Sequence, residues 1–364
     1  MNQYHTNLLH LKRAILCQGI RLDPIKDDIL TINPYFFEKS FSHSSSILLD
    51  KKILVNVPLL DRYANKSPYL ITKDDNDFII VKDGTKICEV NILNAPKWYE
   101  EQIAPGIKAA DVIREHDINV LSCNPFRDCV YFCSEKKCRF CSYGTINDRE
   151  LINSRNVDLY VKAISLAFSY NPKYELNISI GTWPAPDRGA VKIMDLIAKL
   201  RNNIDPRYIS LEMAPPTEKR WIKNLKEVGI SSIMFNIELY DSKIREKLCP
   251  GKSTIGLKQY FKAWKEAINY FGKWRVGSVL IVGIESLDST IKGIDMLIGL
   301  GVLPIIMPFK PLDESMLSDA NICVPSALED VHTYLRERIT QNVEIQKVLK
   351  ERGLGCLSCP GCSV

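Results

Sequence analysis

The chain has 364 residues, 46% of them hydrophobic and 25% charged, with 18 Gly, 19 Pro and a formal net charge of +5. This composition excludes a fibrous or disordered protein, and no apolar run approaches the roughly 18 to 20 residues of a membrane span. The mild charge, with no Lys/Arg block set among aromatics, leaves neither nucleic acid nor membrane as an expected partner.

The length allows a large core and predicts about two domains. The polar start, Met1-Asn-Gln-Tyr-His-Thr6, has no signal-peptide pattern and predicts a cytoplasmic protein. Eight of the 12 Cys fall in two short segments, a distribution that favours metal chemistry in a reducing compartment over disulfides.

Residues 1–117 show no repeated strand-helix unit. A short helix is predicted over 6–18 and strands within 45–57 and 69–92, with Asp83-Gly84 as a hairpin turn. The expectation is a small, mostly β lead-in domain whose lone Cys17 and Cys88 behave as buried thiols. A helical stretch after Pro105-Gly106 precedes a candidate strand at 118–122, which opens a second domain, 118–320.

That strand leads into Cys133-Ser-Glu-Lys-Lys-Cys138-Arg-Phe-Cys141. Thiols must deprotonate to bind metal, and Lys136, Lys137 and Arg139 favour the thiolates. Three ligands leave an open position on a metal centre that normally takes four protein ligands, unless Cys129 or Cys123 completes a zinc knuckle.

Beyond the triad, short apolar strands at 176–180, 208–213, 232–237, 277–283 and 303–307 alternate with helices near 157–169, 190–201, 218–228, 256–271 and 289–299. With the strand at 118–122 they predict an α/β fold with a parallel sheet, an open one or an incomplete barrel, whose chemistry sits where the strands end. Gly181-Thr-Trp-Pro184 follows the second strand; a Gly there lets backbone approach a ligand. Glu212 ends the third strand, a carboxylate in an apolar run that faces either a cavity or the surface. The fourth carries Asn236-Ile-Glu238, whose period-2 spacing puts two polar side chains on one face. Arg245 and Lys252 follow. Residues 321–364 form a third segment: a charged helix over 327–350 that would cap the barrel, and Cys356-Leu-Ser-Cys359-Pro-Gly-Cys362, a second ligand set for iron-sulfur or zinc.

At these motifs the chain resembles the radical S-adenosylmethionine (SAM) superfamily, whose usual triad has gaps of three and two residues and an aromatic before the last Cys, here Phe140; the first gap is one residue longer in this chain, with Cys129 as a possible substitute ligand. Gly181 and Pro184 match a Gly-Gly-Glu-Pro turn whose backbone meets the SAM amino group. Asn236 and Glu238 resemble the Asn-x-acid strand of biotin and lipoyl synthases, the branch the sequence looks nearest to. The resemblance implies an incomplete (βα)6 TIM-type barrel in which Cys133, Cys138 and Cys141 bind a [4Fe-4S] cluster. SAM completes that cluster, with Gly181, Glu212, Asn236 and Glu238 around it and Arg245 as partner for its carboxylate. Cys356, Cys359 and Cys362 would then hold a second, auxiliary [4Fe-4S] cluster.

The expected activity is hydrogen abstraction from an unactivated carbon of a small-molecule or carrier-bound substrate, driven by an electron donor such as flavodoxin or ferredoxin. The auxiliary cluster would donate sulfur, relay electrons or anchor substrate. The rival reading is a non-catalytic iron-sulfur or zinc redox protein, against which the Asn236/Glu238 pair stands.

Overall fold

The computed structural model describes residues 3–22, 25–37, 44–143, 145 and 153–362; Met1, Asn2, Ser363 and Val364 lie outside them. An N-terminal helix, α1 (Gln3–Gln18), packs on a six-stranded sheet of order β1-β4-β5-β6-β2-β3. Its strands are β1 (Arg21–Leu22), β2 (Ser44–Leu49), β3 (Ile53–Pro58), β4 (Tyr69–Asp74), β5 (Asp77–Lys82) and β6 (Thr85–Ile92). After a two-stranded ribbon, β7 (Gln102–Ala104) and β8 (Ile107–Lys108), the chain enters the sheet that carries the site.

That sheet has seven strands in sequential order: β9 (Ile113–Asp117), β10 (Val120–Cys123), β11 (Glu175–Ser179), β12 (Ile209–Glu212), β13 (Ser232–Met234), β14 (Val276–Val282) and β15 (Leu303–Pro308). β10 to β15 are parallel, and β9 pairs antiparallel with β10. Sequential parallel strands need long crossovers, here supplied by helices such as α2 (Val157–Tyr170), α3 (Ala190–Arg201), α4 (Lys219–Glu227), α5 (Leu257–Phe271) and α6 (Leu287–Leu300). The result is a curled, open half-barrel. Every residue of β14 is buried, as a parallel strand covered on both faces requires.

The structure departs from expectation in three places, each for a local reason. The helical stretch expected before residue 118 is one 3-10 turn, Ala109–Asp111, followed by β9. The single helix expected over 327–350 is two, α7 (Pro325–Thr340) and α8 (Val343–Val348), because the Asn342 side chain accepts the Ile345 amide at 3.1 Å and starts a new helix. The strand expected over 232–237 ends at Met234. Beyond it the ladder is interrupted: the Val279 amide donates to Asn236 Oδ1 at 3.1 Å and the Ile237 amide to Ser278 Oγ at 2.9 Å, before Glu238 N rejoins Val279 O at 3.1 Å.

The C-terminal tail enters the half-barrel from the N-terminal ends of its strands. Arg352 reaches Glu175 Oε1 at 2.8 Å, Ser232 Oγ donates to Leu354 O at 3.3 Å, and Leu354 and Leu357 are buried. Two glycines make room. A Cβ on Gly277 would lie 2.0 Å from Leu357 Cδ2, and one on Gly355, at φ +54°, would lie 1.7 Å from Ser210 Oγ.

Candidate functional site

Two cavities meet inside the half-barrel. The upper, about 190 Å³, lies under the triad loop and is lined by Cys129, Cys138, Cys141, Gly181 and Lys252 among others. The lower, about 340 Å³, has largely apolar walls (Met234, Val279, Ile281, Ile305, Met307, Phe309) and a floor that includes Cys356, Cys359 and Cys362. Phe140, Tyr143, Ser179, Glu212, Asn236 and Glu238 line both.

The triad loop is tied to the strand ends by backbone: Val130 N donates to Thr182 O at 2.9 Å, Arg139 N to Leu248 O at 2.8 Å, and Gly251 N to Lys136 O at 2.9 Å. A Cβ on Gly181 would lie 2.6 Å from Asp128 O and 2.9 Å from Cys129 Cβ, so a Gly is needed where the strand end meets the loop.

Of the three expected thiolates, Cys138 and Cys141 line the cavity and Cys133 does not. Residues 130–133 coil in turns that carry Cys133 to an exposed position, while Cys129 at their base lies on the wall. A hydrogen bond with Cys249 holds the Cys138 thiol below its ordinary range, and burial pushes that of Cys141 up to about 12.

Glu212 lies on the wall of both cavities, accepting from Asn236 Nδ2 at 3.3 Å; burial raises its pKa above the usual carboxylate range. Asn236 and Glu238 share the cavity, as expected, although the strand that was to align them is broken. Glu238 adopts φ +68°, a conformation uncommon for a residue with a side chain, and is paired with Lys252. Burial works against the charge on Lys252, but Glu238, Tyr260 and Cys138 hold its pKa well above the ordinary value.

Arg245 requires correction. It is buried away from both cavities, and its Nη1 donates to Leu239 O at 3.1 Å. Its helix starts at an Asp241 cap anchored by Glu285, which accepts the Asp241 amide at 2.8 Å; this turns Arg245 inward. Lys252, one turn beyond Cys249, is on the cavity wall instead.

At the floor, Cys359 and Cys362 share a hydrogen bond that lowers the pKa of Cys362 and raises that of Cys359, while burial, with Glu212 beside it, raises that of Cys356. Asn56 Nδ2 donates to Cys362 Sγ at 3.0 Å, and Asn56 N to Gly361 O at 3.0 Å. His116, which sequence reasoning passed over, also lines this chamber, as does Lys310, two residues beyond β15. Among the described residues, no three His, Cys, Asp or Glu side chains yet converge closely enough to hold a metal ion.

Residues 129–295 match the family model described as the radical SAM superfamily. These residues form a radical SAM domain. It is 21% identical over 330 residues to bacteriochlorophyllide c C-7(1)-hydroxylase of Chlorobaculum limnaeum, covering 84% of this chain and 77% of that protein. Similar solved structures include HydG, a maturase of the [FeFe]-hydrogenase (16% identity, TM-score 0.47, 67% of this chain), and a radical SAM methyltransferase from Sphaerobacter thermophilus (14%, TM-score 0.44, 78% of this chain and 76% of that one). The chain spans only 55% of the HydG chain. None of these three relatives is a biotin or lipoyl synthase.

The superfamily uses a [4Fe-4S] cluster and SAM. The upper cavity fits them in its chemistry: the Cys138 and Cys141 thiols line it, the Gly181 approach keeps side chains out of the loop's base, and Lys252 supplies positive charge beside Cys138. Among the described residues no helix is long and apolar enough to cross a membrane.

Proposed function

We propose that the protein is a radical SAM enzyme that abstracts hydrogen from an unactivated carbon of a small, mostly apolar substrate, and that the Cys-rich tail holds a second four-iron cluster at the floor of the substrate chamber. The observation that carries this reading is the shared wall: the triad loop above and the tail thiols below open onto one space, with Glu212, Asn236 and Glu238 between them.

Cys133, Cys138 and Cys141 hold the upper cluster. The exposed turn that carries Cys133 lets it close on a metal at little cost, and the spacing from Cys138 is the compact one. When bound, cluster and SAM supply the reductive cleavage that yields a 5'-deoxyadenosyl radical, with the electron coming from a donor such as flavodoxin or ferredoxin. The protein's own part is positioning. The Gly181 backbone would meet the SAM amino group, Asn236 and Glu238 would hold the ribose hydroxyls, and Lys252, on the same wall, would take the carboxylate by charge-assisted hydrogen bonding. The apolar walls of the lower chamber exclude water from the reacting carbon.

For the step after abstraction, tail-cluster sulfur transfer is one reading. Hydroxylation is the second, favoured by the hydroxylase named among the relatives: the substrate radical would give one electron to the tail cluster and take its oxygen from a single admitted water, which releases a proton. Anaerobic reconstitution with SAM and dithionite tests the core of the proposal: 5'-deoxyadenosine forms and is lost in Cys138→Ala and Cys141→Ala. Its absence from the wild-type protein with a fully loaded cluster refutes the enzyme reading. Iron analysis tests the tail: truncation before Gly355 lowers iron from about eight to about four per chain.

A further inference from the structure

We propose that His116 is the fourth protein ligand of the metal centre formed by Cys356, Cys359 and Cys362, so that the tail site is a three-cysteine, one-histidine set closed by strand β9. The inference rests on the reading of the tail as a cluster site.

Three thiolates leave a four-iron cluster one protein ligand short. A fourth donor stands on the chamber wall beside them. His116 Nε2 lies 4.0 Å from Cys362 Sγ and 3.4 Å from Asn56 Nδ2, the same amide nitrogen that donates to Cys362.

The backbone shows how the imidazole reaches this place. In the β9–β10 ladder Asp117 pairs with Val120 and Glu115 with Leu121, so two steps on β9 match one on β10 and His116 is the extra residue of a bulge. A bulge re-aims a side chain that regular alternation would place elsewhere. Ser46 Oγ donates to His116 O at 3.4 Å and to Asn56 Oδ1 at 2.6 Å, so β2 and β3 of the N-terminal sheet brace the histidine and the amide together. Glu212 also faces Cys356 but is shared with Asn236 at the junction of the two cavities. Imidazole and thiolate are compatible ligands on one iron-sulfur centre, and replacing thiolate by imidazole raises its potential.

The test uses the full-length chain with Cys138→Ala and Cys141→Ala, which removes the upper cluster and leaves the tail site alone. After reconstitution and reduction, pulsed electron paramagnetic resonance on protein grown with 15N-histidine reads nitrogen coupled to the cluster. The expected result is a histidine coupling that disappears in His116→Ala and persists in Glu212→Gln. Because His116→Ala can lose the cluster altogether, His116→Cys is the second variant: it keeps about four irons, shows no nitrogen coupling and shifts the midpoint potential downward. A cluster with full iron and no histidine coupling in the parent protein overturns the ligand assignment while leaving the tail cluster intact. No iron at the tail, or one bound zinc in its place, overturns the cluster reading itself and the proposal with it.

Discussion

The insertion of the tail into the half-barrel can be tested without any cofactor, through the contact between Gly277 and Leu357. A Cβ at position 277 would lie 2.0 Å from Leu357 Cδ2 and 3.2 Å from Leu303 O, both too close. Gly277→Ala therefore overpacks the junction and costs about 1–3 kcal/mol. Leu357→Ala removes a side chain that is 3% exposed and costs about 2–5 kcal/mol, transfer and cavity together. In the double variant the new methyl enters space that the leucine has vacated, so the clash is not incurred a second time. The double variant is then less destabilised than the sum of the singles by at least about 1 kcal/mol, whereas independent sites add within about 0.3–0.5 kcal/mol. Urea unfolding of the four proteins at equal iron loading, compared only where their m-values agree, measures the coupling. Additive losses would show that Leu357 does not occupy the barrel floor beside Gly277, and the argument that the tail lines the chamber would fail with that contact.

Loss of the upper cluster is expected in Cys133→Ala as well as in Cys138→Ala and Cys141→Ala, with Cys129→Ala retaining it; iron content after reconstitution decides, and the reverse pattern for Cys133 and Cys129 would move the ligand to the wall position. Asn236→Ala and Glu238→Ala each weaken SAM binding by about 1–3 kcal/mol, the cost of leaving a buried ribose hydroxyl without its partner, as calorimetric titration of the loaded protein would show. His332 is buried and neutral, with burial and then Arg13 pulling its pKa down to about 3, so between that value and the ordinary 6.5 the unfolded chain binds the proton that the folded chain refuses. Stability on this account is intact above pH 6.5 and falls by about 1.4 kcal/mol per unit below it, about 2 kcal/mol at pH 5. His332→Gln should flatten that slope in denaturant titrations at pH 7 and pH 5.

The half-barrel was legible because its strands and helices differ in hydrophobic period. Helix α3 falls on the predicted 190–201, and β11, β12, β14 and β15 fall within about a residue or two of their predicted ends. Site features set by side-chain competition with the backbone were not legible. Asn236 Oδ1 accepts the Val279 amide in place of a backbone carbonyl and so interrupts the strand that its spacing seemed to extend. The same substitution of side chain for backbone at Asn342 divides one expected helix into two. Choosing Lys252 over Arg245 required knowing which way a short helix turns, and that is fixed by a contact to Glu285, about forty residues on. His116 carries no periodic signal at all, since its direction comes from a one-residue register shift between strands.

A terminal segment of small residues normally frays, and a bound cluster is one way to offset the entropy of ordering it. The structure supplies another. Asn56 N donates to Gly361 O at 3.0 Å, Lys12 Nζ donates to Pro360 O, and Arg275 Nη2 reaches Glu351 Oε2 at 2.6 Å, so the tail is fastened by the N-terminal sheet, by α1 and by the base of the barrel. The burial that holds Lys12 there also lowers its pKa to about 8, while Cys362 and Cys359 act in the opposite direction. The lead-in sheet thus has a task that its own composition does not announce: it fixes the tail thiols before metal arrives, so that metal binding need not meet the whole cost of ordering the segment. On this reasoning, loosening the Asn56 contact would weaken metal retention at the floor of the chamber without touching a ligand, and the effect would be confined to the tail iron.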